Sequence, residues 1–333
     1  MNIRSIATRL AGGLAAVLLS LPVSLPGAQA QGRFPDRTIT IIVPFAAGGP
    51  TDVVARQLGE AMGRDLGVSV VSENVTGAGG TIGGQRVAQA RSDGYTLLLG
   101  NIGVATAPSL YRNLPYDVLK SFDTVGLITP VPMTLVARPN IPAANLPELV
   151  AWLKRPGAEV NIGHAGLGSA SHLCATLLRS LLQTPMTPIA FRGTAPIMTE
   201  LMAGRLDLTC DQTTNTVPYI QDNRVRAFAT TTDQRLAALP NLPTAAEGGL
   251  PGLTVTVWHG FYVPAGTPRP VIDRLSQALR TALADEKVVT RFAELATTPE
   301  PADRATPEAH RALLEAEVAR WRPIIQSAGE YAD

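Results

Sequence analysis

The sequence predicts an α/β protein of two domains, each a parallel-type sheet flanked by helices. Strand-like and helix-like stretches alternate from residue 39 to 101 and again from 134 to 229, the pattern of βαβ units with parallel strands. A chain of 333 residues is also longer than one hydrophobic core usually supports. Loops that leave the carboxyl ends of parallel strands meet at one edge, where open α/β sheets bind ligands. We therefore expect a binding site at that edge.

The N-terminal residues have the order of a secretory signal. Arg4 and Arg9 precede an apolar run over residues 10–23, and Ala28-Gln29-Ala30 supplies the small residues of a cleavage site. A retained membrane anchor is the alternative, which the shortness of the run disfavours. We expect residues 1–30 to be a signal peptide that is removed on export. The net charge of +1 and the lack of a basic cluster argue against a nucleic-acid partner.

The first domain opens with the strand Ile39–Val43 and a small-residue loop. Gly48 and Gly49 allow the backbone to approach a ligand closely, and Pro50 suits the first position of the following helix. Unpaired N–H groups at this helix start favour an anion such as a carboxylate. Asp52 in the first turn would repel an anion, so a capping role competes with contact to a donor group of the ligand.

Two further strands and a glycine loop complete this series. The strand over 68–71 leads into the loop 74–80 and then a helix, and the strand over 96–99 ends at Asn101. The loop imitates a dinucleotide-binding motif, but Ile82 holds the third glycine position and no acidic residue ends the next strand. We therefore expect a second anion-binding loop rather than a nucleotide site.

The second domain repeats the alternation. Its predicted strands cover 134–137, 160–163, 188–191, 206–210 and 225–229, and its predicted helices cover 146–154, about 169–181 and 195–203. The loops at His164, Arg192 and Asp211 leave from one edge of this sheet. Arg192 is a cation at that edge, and it either pairs with a ligand carboxylate or is solvated.

The last part of the chain is predicted to return to the first domain. An extended segment over 254–263 precedes two amphipathic helices, the second over 307–326, and neither helix is followed by a strand. Two chain crossings, near Pro130 and near Trp258, would then form a hinge. The predicted bounds are 31–131 for the first part of domain 1, 132–253 for domain 2 and 254–333 for the return strand and C-terminal helices.

The two cysteines leave a choice open. Export to an oxidising compartment permits a disulfide between Cys174 and Cys210, and two buried thiols are the alternative. The sequence does not supply the Cα separation that a disulfide requires.

Ser169, Ser171 and His172 raise the question of a hydrolase. Neither serine lies in a G-x-S-x-G elbow, and the adjacent Ser171 and His172 point apart on one helix turn. Helix capping and polar contact with a ligand are the favoured roles, so we expect a protein that is not an enzyme, with an exported Ser/His hydrolase as the weaker alternative. The four histidines show no i, i+4 pairing, and we expect neither a metal nor a cofactor.

Seven segments carry a more specific signal. They are FPDRTITIIVPFAAGGPTD, ENVTGAGGTIG, GHAGLGSASHL, FRGTAP, LMAGRLDLTCDQ, PTAAEGGLPG and WHGFYVPAGTP. Together they resemble the Bug family, the extracytoplasmic solute receptors of tripartite tricarboxylate transporters. The resemblance implies a periplasmic, two-domain Venus-flytrap receptor of the type II periplasmic binding protein class. It is expected to work as a monomer that delivers a small carboxylate to membrane subunits of the transporter.

The resemblance also implies the ligand-binding residues. They are Phe45, Ala46, Gly48, Gly49, Thr51, Asp52, Gly79, Gly80 and Asn101 in the first domain, and Gly166, Ser169, Ser171, His172, Arg192, Thr194 and Asp211 in the second. The stretch TCDQTTNT varies from the family pattern. Because family members differ widely in ligand, a di- or tricarboxylate, an aromatic acid and an acidic amino acid all stay open, and a co-receptor for a membrane sensor kinase is the alternative to transport.

Overall fold

The computed structural model describes residues 34–329 and 331. The predicted signal peptide, residues 1–30, lies outside the described residues. None of the described helices is both long and apolar enough to cross a membrane.

The chain begins with three parallel strands and the helices that follow them. The elements are β1 (Ile39–Val43), α1 (Pro50–Leu66), β2 (Val70–Asn74), a 3-10 turn at Ala78–Gly80, α2 (Thr81–Ala88), β3 (Thr96–Asn101) and α3 (Ile102–Leu110). β1 pairs in parallel with both β2 and β3. It has the bounds predicted from the sequence, because its run of branched apolar residues fits a strand buried on both faces. The prediction lacks α3, which Asn101 caps by accepting a hydrogen bond from the Gly103 N–H at 2.9 Å.

A strand of 16 residues, β4 (Phe122–Ala137), follows. The predicted strand start at residue 134 is wrong, since β4 runs without a break through Pro130 and Pro132. These prolines lie opposite Trp258 and Thr256 in an antiparallel ladder with β9 (Thr256–Pro264). Pro130 keeps its carbonyl oxygen as an acceptor, which the Thr297 hydroxyl uses at 2.9 Å. The two prolines lack a backbone N–H, but this lack does not end β4.

A second alternating series comes after β4. It comprises α4 (Leu146–Leu153), β5 (Asn161–His164), α5 (Ala170–Leu182), β6 (Thr187–Ala190), α6 (Thr194–Met202), β7 (Leu208–Gln212), α7 (Thr213–Gln221) and β8 (Arg226–Thr230). β5 pairs in parallel with β6 and β7, whereas β7 and β8 pair antiparallel with the end of β4. The predicted loop at Asp211 is wrong, because Asp211 and Gln212 still belong to β7 and α7 begins directly after them at Thr213.

The return strand β9 lies between β3 and β4 and is antiparallel to both. The chain then forms α8 (Arg269–Leu283), α9 (Glu286–Glu294) and α10 (Pro307–Ala328). α8 packs on α1, and α10 packs on α3 and β4. The imidazole of His310 in α10 covers Gly260 of β9, where any Cβ would overlap the ring. The last helices therefore pack on elements formed earlier, as the sequence predicts.

The complete sheet has the strand order β2-β1-β3-β9-β4-β7-β5-β6, with β8 also paired to β4. We call β1–β3 with α1–α3 the first lobe and β5–β8 with α4–α7 the second lobe. β9 and β4 lie between them in the sheet. The predicted α/β class with helices flanking the sheet is confirmed, although the sheet is mixed rather than parallel where β4 and β9 take part.

A disulfide joins α5 to β7 within the second lobe. Cys174 and Cys210 are bonded, with their Cα atoms 6.0 Å apart, a separation typical of disulfides. Both residues are fully buried. The structure thus decides between the two alternatives that the sequence left open.

Candidate ligand-binding cleft

A buried cavity lies where the loops of the two lobes meet. Its volume is about 10 Å³, close to the space of a single water molecule. The first lobe contributes Phe45, Pro50, Thr51 and Asn101, and the second contributes Ala165, Ser169, Ala170, Ser171, Thr194, Asp211 and Gln212. Among these lining residues only Asp211 has an ionisable side chain. The small volume shows that the lobes lie closed on each other.

Hydrogen bonds cross directly from the first lobe to the second. They run from the Ala46 N–H to the Arg192 carbonyl (3.1 Å), from the Thr106 hydroxyl to the Gly168 carbonyl (3.1 Å) and from the Tyr111 hydroxyl to the Leu167 carbonyl (2.9 Å). These hydrogen bonds hold the loops of the two lobes in direct contact beside the cavity.

Gly79 lies at the closest approach between the lobes. Its φ of +60° is in the left-handed region, and a Cβ at this position would overlap the carbonyl oxygen of Leu167. Gly193 in the second lobe also lies close to the first, since a Cβ there would be 2.7 Å from the Ala46 nitrogen. These glycines therefore permit closure of the lobes, a role that the sequence did not indicate.

Five helices begin at the cavity. Pro50 and Thr51 open α1, Asn101 caps α3, Ser169 caps α5, Thr194 opens α6 and Gln212 directly precedes α7. Each of these residues lines the cavity. A helix N-terminus carries the positive end of the peptide dipole and unpaired N–H groups. The cavity therefore favours an anion, although neither Lys nor Arg is among its lining residues.

Asp52 belongs to the loop structure of the first lobe. Its Oδ2 accepts from the Gly48 N–H at 2.9 Å and from Arg56 Nε at 2.8 Å, and its Oδ1 accepts from the Asn74 amide at 3.0 Å. Asn74 also donates to the Phe45 carbonyl at 2.9 Å, so the two loops of this lobe are tied together. Burial alone would raise the pKa of Asp52, but these hydrogen bonds bring it below its ordinary value. Asp52 is thus ionised and satisfied by the protein itself.

The serines at the start of α5 organise their own loop. The Ser169 hydroxyl donates to the Gly166 carbonyl at 2.7 Å and accepts from the His172 N–H at 3.3 Å. Ser171 Oγ accepts from the Ala165 N–H at 2.9 Å. The Ser169 proton is therefore directed to a backbone oxygen, as helix capping requires and as a nucleophile paired with an imidazole does not.

Asp211 and Gln212 end β7 at the cavity. Asp211 is 1% exposed, and its Oδ2 accepts from the Asn215 amide at 2.6 Å. Its Oδ1, the Gln212 Oε1 and the Thr51 hydroxyl oxygen are buried without a hydrogen-bond partner among residues 34–329. Burial raises the pKa of Asp211 to about 6, against the opposing hydrogen bonds from Asn215, the Gln212 N–H and Thr194.

The structure brings together part of the site that the resemblance implied. The implied residues that line this cavity are Phe45, Thr51, Asn101, Ser169, Ser171, Thr194 and Asp211. Phe45, Gly79, Gly80 and Asn101 also line an adjacent cavity of about 20 Å³. The implied residues that line neither cavity are Ala46, Gly48, Gly49, Asp52, Gly166, His172 and Arg192.

Arg192 and Gln212 differ most from expectation. The Arg192 side chain is exposed, and the residue contributes its carbonyl oxygen to the contact between the lobes. Gln212 was not among the implied residues, yet it directly follows Asp211 at the strand end, a position that favours a place in the site. Pro50, Ala165 and Ala170 are further lining residues that were not named from the sequence.

Known proteins share this sequence and fold. The family described as "Tripartite tricarboxylate transporter family receptor" (TctC) matches residues 54–330. A UPF0065 protein from the TAR-I ttuE-ttuC' intergenic region of Agrobacterium vitis is 46% identical over 315 residues, which are 95% of this chain and 91% of the relative.

Solved structures agree with this match. The periplasmic binding protein BugD superposes with a TM-score of 0.87 at 44% identity, covering 90% of this chain and all of BugD. MatC from Rhodopseudomonas palustris, solved with bound malate, superposes with a TM-score of 0.84 at 38% identity, covering 88% of this chain and all of MatC. The expected Venus-flytrap fold and the expected absence of enzyme activity agree with these neighbours. The chain therefore belongs to the tripartite tricarboxylate transporter family of receptors, which are periplasmic solute-binding proteins.

Proposed function

We propose that this receptor captures a small carboxylate in the cleft between its lobes and delivers it to the membrane subunits of a tripartite tricarboxylate transporter. The observation that carries this proposal is the meeting of five helix N-termini at one buried cavity. Their N–H groups and dipoles stabilise a carboxylate without a countercharge from Lys or Arg. The malate bound to MatC is a small carboxylate of this kind.

Closure of the lobes follows from the same arrangement. α1 and α3 begin on one side of the cavity and α5, α6 and α7 on the other, so a carboxylate between them contacts both lobes. A ligand shifts the open and closed populations only by its differential contacts with the two states. The closed lobes would then be the form that the membrane subunits recognise.

We further propose that β4 and β9 supply the hinge and that the domains divide at residues 31–131, 132–253 and 254–333. β4 passes from pairing with β9 to pairing with β7 and β8 near Met133. These two strands lie between the lobes in the sheet. Removal of residues 1–30 on export and a monomeric state complete the proposal.

Calorimetric titration of the mature chain, residues 31–333, tests the ligand class. The probes are succinate, citrate, benzoate and glutamate, and the matched controls are the neutral amides succinamide and benzamide. We expect at least one acid to bind with a dissociation constant below about 100 μM and its neutral amide not to bind. Binding of the amides without binding of any acid would contradict the proposal.

Transport and oligomeric state need separate measurements. Vesicles that contain the membrane subunits should take up the bound acid only when the receptor is added, and light scattering of the receptor should give the mass of one chain. Uptake that is unchanged by the receptor would exclude the delivery role, and a larger mass would exclude the monomer.

A further inference from the structure

The loops that hold the two lobes together also form part of the outer surface. Contacts join the lobes where the Ala46 N–H meets the Arg192 carbonyl and where Gly79 approaches Leu167. The exposed residues along these contacts, which we call the seam surface, are Ala47, Ala78 and Ile82 of the first lobe and Arg192 of the second. None of the four lines either cavity, so contact with a solute does not account for them.

Close backbone contacts connect the two sides of the seam surface. Gly166 lies between them, since a Cβ there would be 2.9 Å from the Gly79 nitrogen and 4.0 Å from the Phe191 carbonyl oxygen. Ala78 and Arg192 are the chain neighbours of Gly79 and Phe191. Because its two sides belong to different lobes, the seam surface is complete only while the lobes are closed.

The segments that form the seam carry almost no charge. They contain no Lys, Asp or Glu, and Arg192 is their only arginine; they are residues 44–51, 75–84, 164–172 and 188–198. In the whole chain, by contrast, 17% of residues are charged. Ile82 is nevertheless 46% exposed. The central part of a protein interface shows the same bias, with Lys, Asp and Glu depleted and Arg enriched.

The guanidinium of Arg192 differs from those of arginines in the first lobe. Arg56 pairs with Asp52 at 2.8 Å, and Arg86 pairs with Glu73 at 2.7 Å. The Arg192 side chain is exposed, and no acid among the described residues pairs with it. A guanidinium binds a carboxylate through two parallel hydrogen bonds, which makes arginine well suited to an acidic side chain of another protein.

Resting on the proposed delivery role, we propose that the seam surface docks on a membrane subunit of the transporter. Arg192 pairs with an Asp or Glu side chain of a periplasmic loop of that subunit, and Ile82 packs against apolar side chains beside it. Because closure completes the seam surface, the subunit binds the closed receptor more tightly than the open one. The subunit therefore distinguishes the two forms without touching the solute.

Arg192→Glu and Arg226→Glu form a matched pair of charge reversals in the second lobe. Arg226 is also exposed, but it lies beside Ala137, at the end of β4 away from the cleft. The measurement is the receptor concentration that gives half-maximal uptake of a bound acid into vesicles containing the membrane subunits. We expect R192E to raise it about tenfold or more, as loss of an interface arginine does, and R226E to change it by less than about twofold.

Calorimetry on the same variants separates docking from solute binding. Both variants should bind the acid with the dissociation constant of the wild type, because neither side chain lines a cavity. Equal uptake by R192E and the wild type, equal losses in the two variants, or a loss in R192E that weaker acid binding explains would overturn the proposal.

Ile82→Asp and Val71→Asp test the apolar part of the seam surface. Both side chains are 46% exposed on the first lobe, but Val71 pairs with Thr40 near the start of β1, away from the cleft. We expect I82D to raise the half-maximal receptor concentration about fivefold and V71D to leave it unchanged, with both variants folded by circular dichroism. Equal effects of the two substitutions would exclude Ile82 from the docking surface.

The outcomes separate this inference from the proposed function. If the wild-type receptor does not promote uptake, the delivery role and the docking proposal fail together. If the wild type and R192E promote uptake equally, the delivery role stands and docking through the seam surface fails. A dimer in light scattering that R192E dissociates would show that the surface binds a second copy of this chain, which would also overturn the proposal.

Discussion

Asp52 and Asp211 are both almost fully buried carboxylates beside the same cleft, one in each lobe, yet their surroundings are opposite. Asp52 accepts hydrogen bonds from Gly48, Arg56 and Asn74, which lower its pKa. Asp211 keeps one oxygen unpaired, and burial raises its pKa to about 6. The hydrogen bonds of Asp52 are thus complete within the protein, whereas one oxygen of Asp211 has no partner among the described residues.

This contrast shows how Asp52 is compatible with the acidic solute proposed for the cleft. The negative charge of Asp52 is used within the loop that it shapes, 2.8 Å from the Arg56 guanidinium, and Asp52 does not line the cavity. The first lobe therefore presents backbone N–H groups that are already in place. The second lobe presents Asp211 and Gln212, whose free oxygens are buried without a partner among the described residues.

The largest effect on stability is expected from the disulfide that holds the strand of Asp211. Cys174→Ala with Cys210→Ala removes a link across a sequence separation of 36 residues, and loop-closure entropy assigns such a link about 4 kcal/mol. Urea denaturation of the variant should show that loss relative to the oxidised wild type. The reduced wild type is the matched control and should lose a similar amount. A variant as stable as the oxidised protein would show that the second lobe does not depend on this link.

Asp52→Ala should cost about 3 kcal/mol of unfolding free energy, because it leaves the buried donors of its loop without an acceptor. Glu60→Ala, on the exposed face of the same helix, is the control and should change stability by less than about 0.5 kcal/mol. Urea denaturation of both variants at pH 7.5 compares them. Similar losses for the two variants would contradict the structural role of Asp52.

Asp211→Asn should instead increase the free energy of unfolding of the solute-free protein at pH 7.5, by up to about 3 kcal/mol. The folded pKa of about 6 lies above the ordinary value of 3.8 for an aspartate, so the folded state binds the proton more tightly. The ionised group therefore destabilises the fold as pH rises through this window. The gain in D211N should be near zero below pH 4 and complete above about pH 7. A pH-independent difference between variant and wild type would contradict this reading.

The pKa of Asp52 predicts the reverse trend. Because its folded pKa is lowered, its contribution is present above its unfolded pKa and is lost as pH falls through the folded value. The stability difference between wild type and D52A should therefore shrink only in acid, below about pH 4. A difference that instead grows as the pH falls would exclude an ionised Asp52 as the stabilising form.

The smallest change in the free energy of unfolding is expected for a substitution of Arg56. Its side chain is 54% exposed, so its ion pair with Asp52 is screened by water, and Arg56→Ala should cost about 0.5–1 kcal/mol. A double-mutant cycle with D52A measures the coupling between the two side chains. A coupling well above 1 kcal/mol would mean that the Gly48 and Asn74 contacts matter less than the charge pair.

Local signals account for much of what the sequence predicted. The apolar run Ile39–Val43 and the Gly-Gly-Pro that follows it gave β1 and the start of α1 at the observed residues. The last helices could be placed because their apolar residues recur at helical spacing and no strand follows.

The elements that the sequence did not predict correctly, α7 and β4, depend on tertiary contacts. α7 has threonines and an internal proline, Pro218, which disfavour a helix by propensity. It forms where Thr213, Thr216 and Val217 are buried against the rest of the protein, and that packing overrides the propensity. β4 continues through Pro130 and Pro132 because β9 and the segment around Thr297 supply its contacts.

The sequence identified several residues of the candidate site but not the hydrogen bonds that they make. Asp211 stands out in sequence as an acid at a strand end, just as Asp52 stands out at a helix start. Only the fold shows that Arg56, four residues away, and Asn74, on the next strand, donate hydrogen bonds to Asp52. It also shows that Asp211 Oδ1 has no partner among the described residues. Arg192 illustrates the same limit, since its side chain is exposed and its carbonyl makes the contact.

A crystal structure of the mature protein, grown with the acid that binds most tightly in the calorimetric panel, tests the central claim most directly. We predict the acid in the cleft between the lobes, with a carboxylate about 3 Å from the N–H groups that open the helices. An empty cleft, or an acid bound away from these helix starts, would contradict the claim.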